Sequence, residues 1–296
     1  MTLRSRMRSR RVMGRDVAAP HLLTIDLELT GYDDAALHDQ FARNGNELLR
    51  FLEREGEKAT FFCVGDVLEQ FPSLVQAIRL AGHEIACHGW RHTPLEHLSP
   101  AELEQGLDRF VATAERLGLG PIRGFRAPFF SLTRDTRWAL DVLARAGFVY
   151  DSSILPAATL LYGDPTSSAL PHRLDNGLVE MPITVWQPLR RWGVSVGIPP
   201  FGGTYLRLLP GPLLERLAAR DVAFPHGDPA PLMSYLHPYD ADPTLRRVRG
   251  FAGKPLHNFL LGRGRSTTMS KIRVIANGRE SETVHGWIEK NMRYLD

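Results

Sequence analysis

Two cysteines in 296 residues, Cys63 and Cys87, are too few for a disulfide scaffold or a cysteine-rich zinc knot. Each ends a β-like apolar run, in FFCVG and IACHG, so each is expected as a buried, reduced thiol. Long apolar stretches are also missing: the ~18 consecutive apolar residues that cross a membrane occur nowhere. The N-terminus lacks the apolar run of a signal peptide, so the expected location is the cytoplasm, with contact at the inner face of the membrane left open. Neither charge dominates, since 36 Lys and Arg meet 33 Asp and Glu for a net charge of +3. Much of the excess sits in MTLRSRMRSRRVMGR, a tail (residues 1–19) that reads as a frayed terminus, with Met13 as an alternative start, or as a basic arm. No nucleic-acid partner is expected from the remainder, and no internal repeat or low-complexity tract interrupts it.

Several catalytic motifs are absent too. HEIAC begins like a zincin helix but has Cys87 where the second histidine should stand, no G-x-S-x-G occurs, and GKPL is not a Walker loop. Gly202 and Gly203 of FGGTY read as turn residues rather than a phosphate cradle.

What is present is the alternation of an α/β protein. With 43% hydrophobic residues the chain can bury a sizeable core. HLLTID, KATFFCV, HEIAC, IRGFRA, FVYDSS, LVEMPI and PLMSYLH read as strands, most of them separated by helical patterns such as DAALHDQFARNGNELLRFLEREG and TRDTRWALDVLARAG. Ser99 followed by Pro100 starts a further helix, and TVHGWIEKNMRYL reads as a terminal one. Between about 155 and 210 a proline- and aromatic-rich excursion is expected over the mouth of the sheet, and 243–296 reads as a basic C-terminal extension ending in a helix. The simplest architecture is one domain, a barrel or open sheet of parallel strands.

In such folds working residues gather at the carboxyl ends of strands. Asp26 and Glu28 close the first strand on one face; His88 and His92 close the third; Arg126, Asp151 and His237 close later ones. The histidine spacing alone leaves two readings, a metal clamp or a polar corner of the core; one helical turn over 88–92 would put both rings on one face. With a same-face carboxylate pair available, a His, His, carboxylate cation site is favoured over the polar corner.

The ordered set TIDLE, HGWRH, RGFRAPFF, YDSS and YLHPYD, with ATFFCVG after the first, resembles the NodB-homology polysaccharide deacetylases, carbohydrate esterase family 4, especially the branch found at bacterial exopolysaccharide loci. The resemblance covers residues 20–242 and implies a single-domain, distorted (β/α) barrel of about seven parallel strands. It implies Asp26 as general base, Glu28, His88 and His92 as ligands of one divalent metal, Arg126 orienting Asp26, and His237 as general acid. Zinc is the expected ion, with cobalt, nickel and manganese as alternatives. The backbone N–H near Phe129 would help stabilise the oxyanion. Asp151 would partner His237 or act as a strand-end turn former, because YDSS lacks the D-W ending of many relatives. The acids also depart from the common adjacent pair T-F-D-D, being spaced D-x-E as in the related branch.

The implied reaction is removal of an N-acetyl group from an amino sugar of a glycan or glycan precursor, such as a nucleotide sugar, a lipid-linked intermediate or a nascent chain. Trp186, with Trp192, Tyr162 and Phe201, offers rings of the kind that stack on sugars or fill core. Arg190, Arg191 and the arginines at 246–249 could meet a phosphate or form a solvated face. Two rival readings are a deformylase or other C–N amidohydrolase on the same scaffold, and an inactive carbohydrate-binding relative. Oligomeric state is left open.

Overall fold

The structure, a computed structural model, describes residues 18–29, 35–159, 162–188, 196–220, 222–245 and 263–295. The basic tail, Thr30–Asp34, Trp192 and the arginines at 190, 191 and 246–249 lie outside them.

The strands are β1 (His21–Leu27), β2 (Ala59–Cys63), β3 (Glu84–Cys87), β4 (Gly124–Phe125), β5 (Tyr150–Asp151), β6 (His172–Arg173), β7 (Val179–Glu180) and β8 (Leu232–Leu236). They form one curled sheet in the order β6-β7-β5-β4-β3-β2-β1-β8, parallel throughout except that β6 runs antiparallel to β7. The ends of the sheet approach each other, and Met233 N donates to Thr184 Oγ1 across the gap at 2.9 Å. The result is a distorted half-barrel with seven mutually parallel strands among the described residues, in line with the fold expected from the sequence.

Period-two patterning splits the core in two. Leu23, Ile25 and Leu27 of β1, with Phe61, Cys63, Ile85 and Cys87, point outward under the helices. Leu22, Phe62, Ala86, Tyr150, Val179 and Met233 point inward and fill the barrel. Both cysteines thus belong to the helix-covered layer, free and buried, on the face opposite the inward-pointing residues. Burial pushes both thiols well up, which suits a packing role.

The helices are α1 (His38–Glu55), α2 (Gly65–Gln70), α3 (Pro72–Leu80), α4 (Pro100–Arg116), α5 (Trp138–Arg145), α6 (Gly203–Leu208), α7 (Gly211–Ala218), α8 (Thr268–Ala276) and α9 (Val284–Asn291). Ser99 caps α4 in a reciprocal box with Glu102. α5 is shorter than its sequence pattern, because Thr133 N donates to Thr136 Oγ1 and spends the first residues on a turn. Among the described residues no helix is long and apolar enough to cross a membrane.

The C-terminal segment is packed into the same core. Ser281 bridges His21, Val284 N donates to Thr60 Oγ1, and His285 N donates to Glu84 Oε2, all where β1, β2 and β3 begin. Val284, Trp287 and Ile288 of α9 then seal the barrel floor from inside. The mouth at the other end is left for the polar residues.

Trp287→Ala should cost about 3–5 kcal/mol, read from denaturant midpoints, if α9 is part of the core; a loss below about 1 kcal/mol would show an independent appendage. A second test uses pH. Burial, and then Arg279, lower the His21 pKa from 6.5 to about 3, and burial with Lys58 lowers that of His83 to about 4. The fold keeps both rings neutral while the unfolded chain protonates them. Stability is therefore complete above about pH 6.5 and is lost as the pH falls toward 3 to 4. His21→Gln should flatten that loss in urea midpoints; an unchanged slope would contradict the assignment.

Candidate metal centre and active site

β1 carries two acids to the mouth. Asp26 is its penultimate residue and Glu28 follows its end, both 2% exposed, so alternate residues deliver two carboxylates to the same interior face. A buried carboxylate needs a cation or donors around it. Each has a different set.

Asp26 is held by Arg126, just past β4. Arg126 Nη1 donates to Asp26 Oδ1 at 2.7 Å and to Thr24 Oγ1 at 2.9 Å. Its Nε and Nη2 donate to the carbonyl and hydroxyl of Ser152 at 3.1 and 3.0 Å, and its plane lies 4.0 Å over the Phe62 ring. Arg126 is fully buried and held on several sides, so its Nη1 fixes the direction of the Asp26 carboxylate.

Glu28 faces the histidines. Its Oε2 lies 3.5 Å from His88 Nε2 and in close contact with His92 Nε2, yet has no hydrogen bond of normal geometry. His88 Nδ1 lies 2.8 Å from the Arg126 carbonyl, which only accepts, so that nitrogen carries the proton and Nε2 presents a lone pair to Glu28. Lone-pair donors turned toward one another in a buried site are a poor arrangement unless a cation joins them. One donor atom each from Glu28, His88 and His92 lies within 4.8 Å of the others, and this is the set that fits a divalent ion. Burial alone would raise the Glu28 pKa, but the charges of the neighbouring His92 and His237 side chains hold it well below the usual carboxylate range.

The loop that carries the pair is not the helical turn its spacing implied. Residues 88–92 form a bend in which Gly89 adopts φ 78°, a left-handed conformation that glycine takes without strain. The ring centroids still come within 5.1 Å.

His237, just past β8, completes the mouth. Its Nε2 stands 3.9 Å from Asp26 Oδ2 and 3.8 Å from Glu28 Oε1. Nδ1 lies 2.7 Å from Asp240 Oδ2, and the ring stacks on Tyr239 at 4.7 Å. Burial works against its charged form, but Asp240, Glu28 and Asp26 together lift its pKa to about 9. The ring is thus held as a proton donor beside two carboxylates.

Asp151, weighed from the sequence as the partner of His237, is placed elsewhere. It accepts from Ser153 N and Oγ at 3.1 and 2.6 Å, and Ser153 Oγ accepts from Ala127 N at 2.7 Å, so Asp151 braces the turn after Arg126. Its strand neighbour is Glu180. Burial, and then the adjacent Asp151, push the Glu180 pKa well up. The braced turn contains Phe129 and Phe130 at φ 60° and 56°, left-handed values costly for bulky residues, with the Phe129 ring 4.3 Å from that of His92.

Of the aromatics expected at sugars or in core, Phe201 is 2% exposed in the outer core, which removes it from any stacking role. Trp186 is partly buried and pairs through its backbone with Ile198, while Tyr162 donates to Glu96 at 2.6 Å. Sequence reasoning missed Asp240, Ser152, Ser153 and Thr24. The HPYD spacing, which puts a carboxylate three residues after the histidine, was the available signal for Asp240.

Comparison with known proteins gives matches to both halves of the chain. Residues 28–150 match the polysaccharide deacetylase family, and residues 152–288 match a domain of unknown function, DUF3473. A peptidoglycan deacetylase-like protein of Gibberella zeae is 40% identical over 118 residues, covering 39% of this chain and 34% of its own length. The match thus spans about a third of that relative. A solved Mycobacterium smegmatis chain assigned to the polysaccharide deacetylases shares the fold with a TM-score of 0.58 at 23% identity, over 95% of this chain and 92% of that one. A family 4 carbohydrate esterase from Streptomyces lividans, solved with acetate, superposes with a TM-score of 0.50 at 17% identity, over 90% and 93% of the two chains.

His92→Ala and Glu28→Gln should each weaken Co2+ uptake, followed by visible absorption, by about tenfold or more while leaving far-UV CD unchanged. Uptake equal to wild type in both would exclude this cluster as the cation site.

Proposed function

We propose that the chain is a metal-dependent amide hydrolase that removes the N-acetyl group from an amino sugar of a glycan or glycan precursor, a reading supported by the match of residues 28–150 to the polysaccharide deacetylase family. The observation that carries this reading is the single mouth where Glu28, His88 and His92 converge between a fixed carboxylate and a fixed imidazole. Zinc is the proposed ion, because a two-histidine, one-carboxylate set that leaves a coordination position open is typical of catalytic zinc, although cobalt, nickel and manganese also suit these donors. When bound there, a divalent ion supplies Lewis acidity toward an acyl oxygen and a water.

The chain's own residues supply the rest. Asp26, aimed by Arg126, takes a proton from the attacking water. His237 Nε2, on the same wall, gives a proton to the departing amine nitrogen, which is a poor leaving group without it. The backbone at Phe129, whose ring lies 4.3 Å from that of His92, is the proposed oxyanion donor. Trp186 is the proposed sugar platform.

The convergence of Asp26, His237 and the Glu28, His88 and His92 set at one mouth supports this reading over that of an inactive relative. A formamido-sugar deformylase would use the same groups, so substrate decides between them. Asp26→Asn should cut acetate release from N-acetylglucosamine oligomers by at least about 10²-fold while Co2+ uptake persists. N-formyl sugars and cyclic amides tested beside the N-acetyl oligomers separate the rival reactions: turnover of either in place of N-acetyl sugars would replace this reading.

A further inference from the structure

The segment matched only to a domain of unknown function supplies His237 and Asp240, and it also buries an arginine behind them. Phe201 and Gly202 run along the free edge of β8, where Tyr235 N donates to the Phe201 carbonyl at 3.2 Å. The Tyr235 ring lies so close over Gly202 that a Cβ there would stand 1.9 Å from a ring carbon. This close approach seats α6 directly behind the end of β8. Arg207, on α6, is 1% exposed, and its Nε lies 2.6 Å from Asp240 Oδ1.

The remaining guanidinium nitrogens are fixed as well. Nη1 donates to the Arg263 carbonyl at 2.7 Å and Nη2 to Thr204 Oγ1 at 2.9 Å, while Lys271 Nζ donates to the carbonyl of Arg207 itself at 2.5 Å. Asp240, fully buried, therefore has one oxygen against Arg207 and the other accepting from the backbone N–H of His237 at 2.9 Å and facing its Nδ1 at 2.7 Å. A carboxylate so placed needs a fixed cation on its far side to stay put.

We propose that Arg207 is a positioning residue of the reaction, holding Asp240 so that His237 presents Nε2 to the leaving nitrogen, and that residues 152–288 form the acid half of the centre rather than a separate module. The inference rests on the deacetylase reading. In the step it serves, the C–N bonding pair departs on nitrogen, that nitrogen takes the Nε2 proton, and the imidazolium becomes neutral imidazole. A leaving group that needs no proton bypasses the device.

The test compares an N-acetylglucosamine oligomer with 4-nitrophenyl acetate on the metal-loaded full chain. Arg207→Met should lower kcat on the oligomer by about 10²-fold with KM within about threefold, and leave ester turnover within about threefold. Arg207→Lys, which keeps the buried charge, should recover part of the oligomer rate, and it carries the same two-substrate comparison if the methionine variant does not fold. In a His237→Ala background the Arg207 substitution should cost nothing further on the oligomer. Equal loss on both substrates, or a further loss in the His237→Ala background, overturns the positioning role. A wild type that turns over the ester but no N-acetyl glycan overturns the deacetylase reading instead, and this inference falls with it.

Discussion

Everything at the mouth depends on the buried ion pair between Arg126 and Asp26. The guanidinium sits inside a half-barrel, over Phe62 and within reach of Phe130, where an unpaired charge is expensive to hold. By engaging β1 through Asp26 and Thr24 and the end of β5 through Ser152, it ties together strands more than 100 residues apart in sequence. The Arg126 carbonyl meanwhile fixes the tautomer of His88. One residue thus sets the direction of the proposed base and the donor face of a proposed ligand.

Around that pair the charges alternate. Asp26, Glu28 and Asp240 are the carboxylates; Arg126, Arg207 and His237 stand against them, all linked by contacts no longer than 3.9 Å. Such an array is rigid because each side chain's removal strands a neighbour in a site with little water to replace it. The array also spans both sequence matches: Glu28, His88, His92 and Arg126 fall in the deacetylase match, while His237, Asp240 and Arg207 fall in the segment of unassigned function. Neither segment holds all the groups alone.

The long strands, and most of the residues that converge at the candidate site, were legible in the sequence. β1, β2, β3 and β8 are buried, largely apolar runs, as strands covered on both faces tend to be, and the polar residues at their carboxyl ends marked the mouth. The two-residue strand β6 and the helix α8 were not legible, because pieces so short or so weakly patterned take their structure from partners remote in sequence. The Gly89 bend escaped for a related reason: spacing reports that two rings can meet, not the backbone path that joins them. The partners of Asp151 and His237 are settled by packing across the barrel, where a transferred motif carries no information about which of two acids is nearer. The C-terminal helix read as an appendage because its apolar face has no visible partner until the barrel floor is assembled.

The most direct measurement of the central claim is anomalous diffraction from crystals of the zinc-reconstituted protein, collected on both sides of the zinc edge. One strong peak is expected within about 2.0–2.2 Å of a Glu28 carboxylate oxygen and of Nε2 of both His88 and His92, on the side facing Asp26 and His237. A fully loaded crystal with its zinc held by other residues, and none at this mouth, would contradict it.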